Sequence, residues 1–444
     1  MTEPKVGVKG AGGTAAKDLH AVPLASAHAD GRSSAGASPR LVYLLSRYPA
    51  VSHTFFLNEV LALRKLGFDI DVASINRPDR AAEAMPAVEV EESNRTFYVK
   101  SAGALRSLLT LVRVLLLHPL VVTRGAFAAS RMGGFNLRAN LFSLLYLAEA
   151  LILGDWMLAH GHNRLHVHFG GPVASVGMLT SIAWGIPYSL TIHGPEEFYD
   201  VEKYQLRRKV EQADLVLCIS NFCRSQLMFI TDPSHWDKMR VARLGVDPAV
   251  FTSHRKSLDR GRAVEILCVG RLAPQKGQSI LIRACAQLKA RGGELTVRLV
   301  GDGPDRKHLE ELAQTEGIDV RFEGAKNHKE VHELLSSADI FALASFAEGV
   351  PVALMEAMSM SVPCISTSIA GIPELIRDGM DGLLVPASSV DDLALALGRL
   401  IDDPALRESF GAAGRARVIS HYNLPLNVQT LAKVFREHCP KQTP

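Results

Sequence analysis

Phe346-Ala347-Glu348-Gly349-Val350-Pro351-Val352-Ala353-Leu354-Met355-Glu356 decides the fold when taken with the apolar run just before it, Ile340-Phe341-Ala342-Leu343. That run reads as a buried parallel strand. Gly349 to Pro351 then makes a turn, and Val352 to Met358 begins a helix. Strand, Gly/Pro turn and helix N-terminus together present unpaired N–H groups and the positive end of a dipole, which suits an anionic or polyhydroxylated ligand. The spacing predicts Glu348 in the loop at the helix mouth and Glu356 about two turns inside it. Two carboxylates so placed can each take hydroxyl hydrogen bonds from a different part of one long ligand. The plainer alternative is an ordinary strand–helix unit with two surface glutamates.

The neighbouring sequence repeats the pattern. Val264 to Val269 is a strand running into Gly270-Arg271, followed by Gln275-Lys276-Gly277 and an apolar-periodic helix from Ser279. Arg271 and Lys276 therefore fall at a strand's carboxyl end, where open parallel sheets bind ligands. A guanidinium beside an ammonium makes a clamp for a diphosphate, although either residue alone could simply be solvated. Leu295 to Val300 with Gly301-Asp302-Gly303-Pro304, Val320 to Phe322 with Gly324, and Asp339 to Leu343 give three more strands. Strands alternating with helices at this rhythm predict an α/β, doubly wound parallel sheet.

These stretches resemble the nucleotide-sugar-binding half of the family 4 retaining glycosyltransferases, which have the GT-B fold of two Rossmann-like domains facing across a cleft. The resemblance covers about residues 241–420 and rests on five ordered motifs: G-R-L-x-x-x-K-G, V-G-D-G-P, the F-x-G strand end, E-x7-E and G-I-P-E-x-I-x-D-G. It implies that Arg271 and Lys276 hold the donor diphosphate, with Gly270 among the donor-binding residues. Glu348, Gly349, Val350 and Pro351 would hold the transferred sugar, and Glu356 the ribose. The implied reaction moves a hexosyl group from a nucleotide-diphosphate sugar to a glycan or glycolipid hydroxyl with retention, using no metal and no cofactor. Two rivals remain: an epimerase or hydrolase on the same fold, and a non-catalytic sugar-nucleotide-binding membrane scaffold.

The length of 444 residues suits two domains. Hydrophobic residues make up 47% and charged ones 21%, a globular composition, and a net charge of +3 gives no case for nucleic acid as a partner. The six cysteines (Cys218, Cys223, Cys268, Cys285, Cys364, Cys439) show no metal-ligand spacing and read as reduced, buried thiols. Residues 1–38 lack the apolar core of a signal peptide and read as a disordered leader. Residues 39–247 are expected to form the acceptor domain, with a linker starting at 248. Residues 248–420 would form the donor domain, and 421–444 a helix crossing back to the first.

In the N-terminal half, Arg40 to Leu45 reads as a first strand and Asp69 to Ile75 as a second. Asp69-Ile70-Asp71 could pass for a metal-binding D-x-D, but its alternation with apolar residues favours plain solvent-facing side chains. After the first strand comes Y-P-x-x-S-x-T-F-x-x-N-E, where many family members carry a Gly-Gly loop. It is similar to the subgroup that builds exopolysaccharides such as colanic acid and succinoglycan. Ser52, Thr54 and Asn58 then become candidates for the acceptor side, or Ser52 and Thr54 merely cap the next helix. Leu165 to His168 with Gly170-Gly171, and Tyr188 to Ile192 with His193-Gly194, are two further strand–turn units. The resemblance gives His193 a contact to the donor hexose and a catalytic place beside Arg271, Lys276 and Glu348. His168 belongs with the acceptor-side candidates. A zinc triad of His166, His168 and His193 is the weaker reading, since sheet histidines usually satisfy local hydrogen bonds.

Residues 93–148 contain no Asp or Glu, yet hold Arg106, Arg113, Arg124, Arg131 and Arg138 among many leucines. The steps 106/113 and 124/131/138 are sevens, which return to one helix face. The insert, about 93–160, therefore reads as a basic amphipathic pair of helices on an anionic membrane surface. The other reading is that these helices pack on the sheet and show a basic edge. A cytoplasmic protein, peripheral on the inner face of the cell membrane, is the expectation.

Overall fold

The computed structural model describes residues 40–50, 54–252 and 262–438. The expected leader, most of the linker, Ser52 and Cys439 lie outside them. Seven strands build the first sheet: β1 (Arg40–Arg47), β2 (Asp69–Asn76), β3 (Phe97–Tyr98), β4 (Arg164–His168), β5 (Tyr188–Ile192), β6 (Leu215–Cys218) and β7 (Met239–Val241). Their order is β3-β2-β1-β4-β5-β6-β7. Six build the second: β8 (Val264–Val269), β9 (Leu295–Val300), β10 (Val320–Gly324), β11 (Ile340–Leu343), β12 (Cys364–Thr367) and β13 (Leu383–Val385), ordered β10-β9-β8-β11-β12-β13. Every ladder between these strands is parallel. The order reverses between β1 and β4 and again between β8 and β11. At such a reversal the connections leave on opposite faces and open a crevice at the strands' carboxyl ends.

Burial explains the strand compositions. β5 and β11 are buried at every position, because helices cover both faces of a parallel sheet. One interior joins the second sheet to its helices, whereas the first sheet has a separate interior on each face. The closing helix Leu424–His438 places Val428, Leu431, Ala432 and Phe435 in one of these, against Leu57, Val60 and Leu63 of the helix Thr54–Lys65. The chain thus passes between the halves twice, and the two passages lie side by side. Val246 N–H donates to Tyr422 O at 3.0 Å, and Leu424 N–H to Val246 O at 3.0 Å. Gly245 is required there, since a Cβ would stand 2.6 Å from Tyr422 O.

The insert is three helices, Ala104–Leu117, Pro119–Gly133 and Leu137–Ala159, rather than a pair. Arg138 therefore does not continue the face of Arg124 and Arg131. Gly134, at φ +54°, ends their helix, and Asn136 caps the next by accepting from Ala139 N–H at 3.0 Å. Leu137–Ala159 is long and apolar enough to cross a membrane, but it buries Leu147, Ala150, Leu151, Leu153 and Met157 within the protein. Its Gly154 lies so close to Trp184 that a Cβ would meet the indole ring at 2.2 Å. Asp69 pairs with Arg40 at 3.0 Å and Asp71 with His162 at 3.1 Å, so both have local partners.

Candidate active site

The wall contributed by the second sheet is three loops stacked by close backbone contacts. Gly277, at φ +63°, lies so near the end of β11 that a Cβ would sit 2.0 Å from Ala344 O. Phe346 N–H donates to Gln275 O at 2.8 Å, tying the same two loops together. Lys276 is thereby brought to Glu348: its Nζ donates to Glu348 Oε1 at 2.7 Å, and Ser345 Oγ donates to the same oxygen at 2.7 Å. The carboxylate is buried, so these charge-assisted bonds fix it. Gly270 and Arg271 sit on the adjoining loop, supported by Leu272 N–H donating to Asp302 O at 3.1 Å. The Arg271 side chain is exposed at the mouth of the crevice.

Glu356 stands a little over one turn (roughly five residues) into its helix, Val352–Ser359, not two turns. Pro351, extended at φ −68° and ψ 123°, delays the helix until Val352. Glu356 is 7% exposed, and burial pushes its carboxyl up to about 7. His328 Nδ1 lies 3.8 Å from its carboxyl, and His328 Nε2 meets Thr54 Oγ1 of the other half at 2.8 Å. These groups border a cavity of about 790 Å3, walled also by Phe55, Asn58, Lys329 and Phe251. Thr54 and Asn58 therefore face Glu356 across the cleft. Arg271, Lys276, Glu348 and His193 are not among this cavity's lining residues.

The opposing wall is set by a buried pair that the sequence reading missed. Glu197 accepts from Gly170 N–H, from Gly194 N–H at 2.5 Å and from His193 N–H at 3.2 Å. Lys209 Nζ donates to Gly170 O and Gly171 O, both at 2.8 Å. Burial raises the Glu197 carboxyl above its ordinary value and lowers the Lys209 ammonium to about 7. Together they lock the turns after β4 and β5, and so place His193. Across the cleft Gly349 fits against it, because a Cβ there would lie 2.2 Å from His193 O.

The His193 ring sits among Phe55, Phe56 and Phe169 and contacts His168, whose Nδ1 is 3.1 Å from His193 Nε2. His168 is 1% exposed, which removes it from direct acceptor contact. His166 is engaged elsewhere, by Ser189 Oγ at 2.7 Å and Thr191 Oγ1 at 2.9 Å. Among the described residues no group of three or more His, Cys, Asp or Glu is arranged to hold a metal ion. A second omission is Glu374 of the G-I-P-E motif. Its carboxylate accepts from Asn221 N–H at 3.0 Å and Phe222 N–H at 2.8 Å, at the N-terminus of the helix Asn221–Ile230 in the other half.

Two Rossmann-like halves meeting at their strands' carboxyl ends, with a Lys–Glu pair and a second buried glutamate in the cleft, define a GT-B protein. Solved structures share the architecture. Sucrose-phosphate synthase from Thermosynechococcus elongatus superposes with a TM-score of 0.71 at 18% identity, covering 90% of this chain and 98% of that one. The UDP-glucose complex of Anabaena HepE does so with a TM-score of 0.67 at 18% identity, covering 89% and 99%. At that identity these likenesses concern the fold.

Sequence relatives carry the assignment further. Residues 250–417 match the family described as Glycosyl transferases group 1, and residues 121–250 match Glycosyltransferase Family 4. WcaL of Salmonella typhimurium, named for colanic acid biosynthesis, is 30% identical over 419 residues, 89% of this chain and 99% of that protein. The amylovoran biosynthesis glycosyltransferase AmsK of Erwinia amylovora is 26% identical over 412 residues, again 89% and 99%. The chain belongs to this glycosyltransferase family.

Proposed function

We propose that the protein transfers a hexosyl group, with retention and without a metal, from a nucleoside-diphosphate sugar to a hydroxyl of a lipid-linked glycan in exopolysaccharide or capsule synthesis. The observation that carries this reading is the Lys276–Glu348 pair next to Gly349, which meets the His193 carbonyl across the cleft. Arg271 and Lys276 stabilise the negative charge that grows on the departing diphosphate. Glu348 and the backbone from Gly349 to Pro351 hold the sugar, and Glu356 takes the ribose hydroxyls.

Retention follows from a same-face displacement. The bond from the anomeric carbon to the phosphate oxygen breaks, the acceptor oxygen bonds to that carbon, and the acceptor's proton passes to the leaving phosphate. What abuts Gly349 from the N-terminal half is the His193 carbonyl, a dipole that favours positive charge on the sugar ring. The polysaccharides named for WcaL and AmsK support the pathway class, and the UDP-glucose bound by HepE supports the donor class.

A membrane-bound acceptor fits the insert. Of the helix Ala104–Leu117 only Val114 is buried, leaving Leu105, Leu108, Leu109, Leu115 and Leu116 more than half exposed. Arg106, Arg113, Arg124, Arg131 and Arg138 are exposed on the three helices, with Arg113 paired to Asp155. Apolar side chains flanked by arginines suit the acyl boundary and anionic headgroups of the inner face of the cell membrane. The test is release of nucleoside diphosphate from UDP-, GDP- and ADP-hexoses with and without lipid-linked glycan. Release that depends on the glycan is expected. Equal release without it would make the protein a hydrolase, and none under either condition would favour a scaffold.

A further inference from the structure

The helix Asn221–Ile230 belongs to the N-terminal half, yet the C-terminal half completes its first turn. A helix leaves its first N–H groups without partners in its own backbone. From Arg224 onward the backbone serves itself, the Arg224 N–H donating to Ser220 O at 3.1 Å. Ser220 Oγ accepts from Cys223 N–H at 3.0 Å. The two N–H groups before that one go to Glu374. Its Oε2 accepts from Asn221 N–H and from Asn221 Nδ2, both at 3.0 Å, and its Oε1 accepts from Phe222 N–H at 2.8 Å. A carboxylate at this place also meets the positive end of the helix dipole. Arg243 Nη2, 4.0 Å from Oε2, adds a cation from the same half as the helix.

Glu374 is itself tied to the hinge and to the cleft. Its carbonyl accepts from Tyr422 Oη and from Arg417 Nη2, both at 2.8 Å. Tyr422 is also the residue whose carbonyl pairs with Val246 where the chain passes between the halves. Three residues before Glu374, the Gly371 N–H donates to Gly349 O at 3.1 Å. A Cβ on Gly371 would stand 2.8 Å from that oxygen and 3.2 Å from the Ser220 Cβ, so only glycine lets the two halves meet this closely. Gly349 in turn abuts the His193 carbonyl. Two crossings lying side by side define a line about which the halves can turn. Glu374 makes a further attachment, one tyrosine side chain away from that line, and an attachment off the line fixes the angle.

We propose that Glu374 is a positioning residue that sets the angle at which the two halves meet, by supplying from one half the carboxylate that caps a helix of the other. Through Gly371 the same stretch carries Gly349, so the cap and the sugar-side loop move together. The angle is independent of the donor-site reading above, whereas the loss of donor affinity expected below rests on it. The acidic residue of the G-I-P-E motif thereby gains a task that no spacing in the sequence announces.

Two variants attack the contact from opposite sides. Glu374→Ala removes the carboxylate and leaves both bonds to its carbonyl. Asn221→Pro removes the Asn221 N–H and its side-chain amide at the first helical position, where proline is tolerated. Ser220, at φ −151° and ψ 164°, already has the extended backbone that a residue before proline needs. Small-angle X-ray scattering of the folded, full-length protein should give a larger radius of gyration for each variant. Glu374→Gln, which keeps one acceptor oxygen, should fall between Glu374→Ala and the unaltered protein. The double variant should be no larger than Glu374→Ala alone, because both changes remove one contact. Affinity for UDP-, GDP- or ADP-hexose, read by calorimetry, should fall roughly tenfold in Glu374→Ala, in proportion to the population that loses the productive angle. An unchanged radius in Glu374→Ala would overturn the proposal, as would a double variant expanded by the sum of the two single effects. Should the unaltered protein bind none of the donors, the donor-site reading fails, and the scattering still decides the role of Glu374.

Discussion

Glu356 holds its proton to about pH 7, because the carboxyl is buried where an unfolded glutamate would ionise near 4.5. The folded state therefore binds the extra proton between those values. The stability this confers is fully present below pH 4.5 and is lost as pH rises through 7. Glu356→Gln, neutral at every pH, should be more stable than the unaltered protein at pH 8 and nearly equal to it at pH 5. The gap is at most roughly 3 kcal/mol at about 1.4 kcal/mol per pH unit. Denaturant titrations at the two pH values measure it, and an equal difference at both would show that the carboxyl is not buried in this way. In the proposed donor site ribose hydroxyls would donate best to the ionised form, so the same carboxylate would trade stability for ligand binding. Glu348 and Lys276 were legible in the sequence because each lies in a motif at a strand's carboxyl end. The Glu197–Lys209 lock was not, since neither residue falls in a pattern and only the fold brings both to the turns after β4 and β5.

Helices and strands differ in how much of themselves they wrote into the sequence. β11 is a continuous apolar run because both its faces are covered, and it stands out at once; β8 and β9 are mainly apolar, broken by Glu265 and by Thr296 and Arg298. β3 and β7, of two and three residues, are too short to carry a period. The seven-residue step of arginines across residues 124–138 misled for a similar reason: a numerical repeat runs on through Gly133-Gly134, but a helix does not. What the insert does display is exposed leucine. Full-length protein should float with vesicles containing anionic lipid, less so at high salt because headgroup attraction is screened. Leu108→Glu with Leu115→Glu should abolish flotation while leaving donor binding unchanged. Flotation undiminished in that double variant would refute the assignment of this face to the membrane.

The two halves are joined by paired crossings at Val246 and Asn423, by the returning helix Leu424–His438, and by side chains across the cleft. Glu374 accepts from backbone N–H groups 152 and 153 residues away, and His328 reaches Thr54 across 274. Contacts of that span exist only once both halves have folded, which is why no local spacing announced them. The same dependence makes the site a property of the whole chain: Lys276 and Glu348 come from one half, His193 from the other, and Gly349 is the point of touch. A glycosyl donor bound there is the central claim. Calorimetry of the full-length protein against UDP-, GDP- and ADP-hexoses tests it most directly, repeated with Arg271→Ala and Lys276→Ala combined. Binding of a donor by the unaltered protein, lost in the double variant, is the predicted result. Folded protein that binds none of the donors, or a double variant that binds as well as the original, would contradict it.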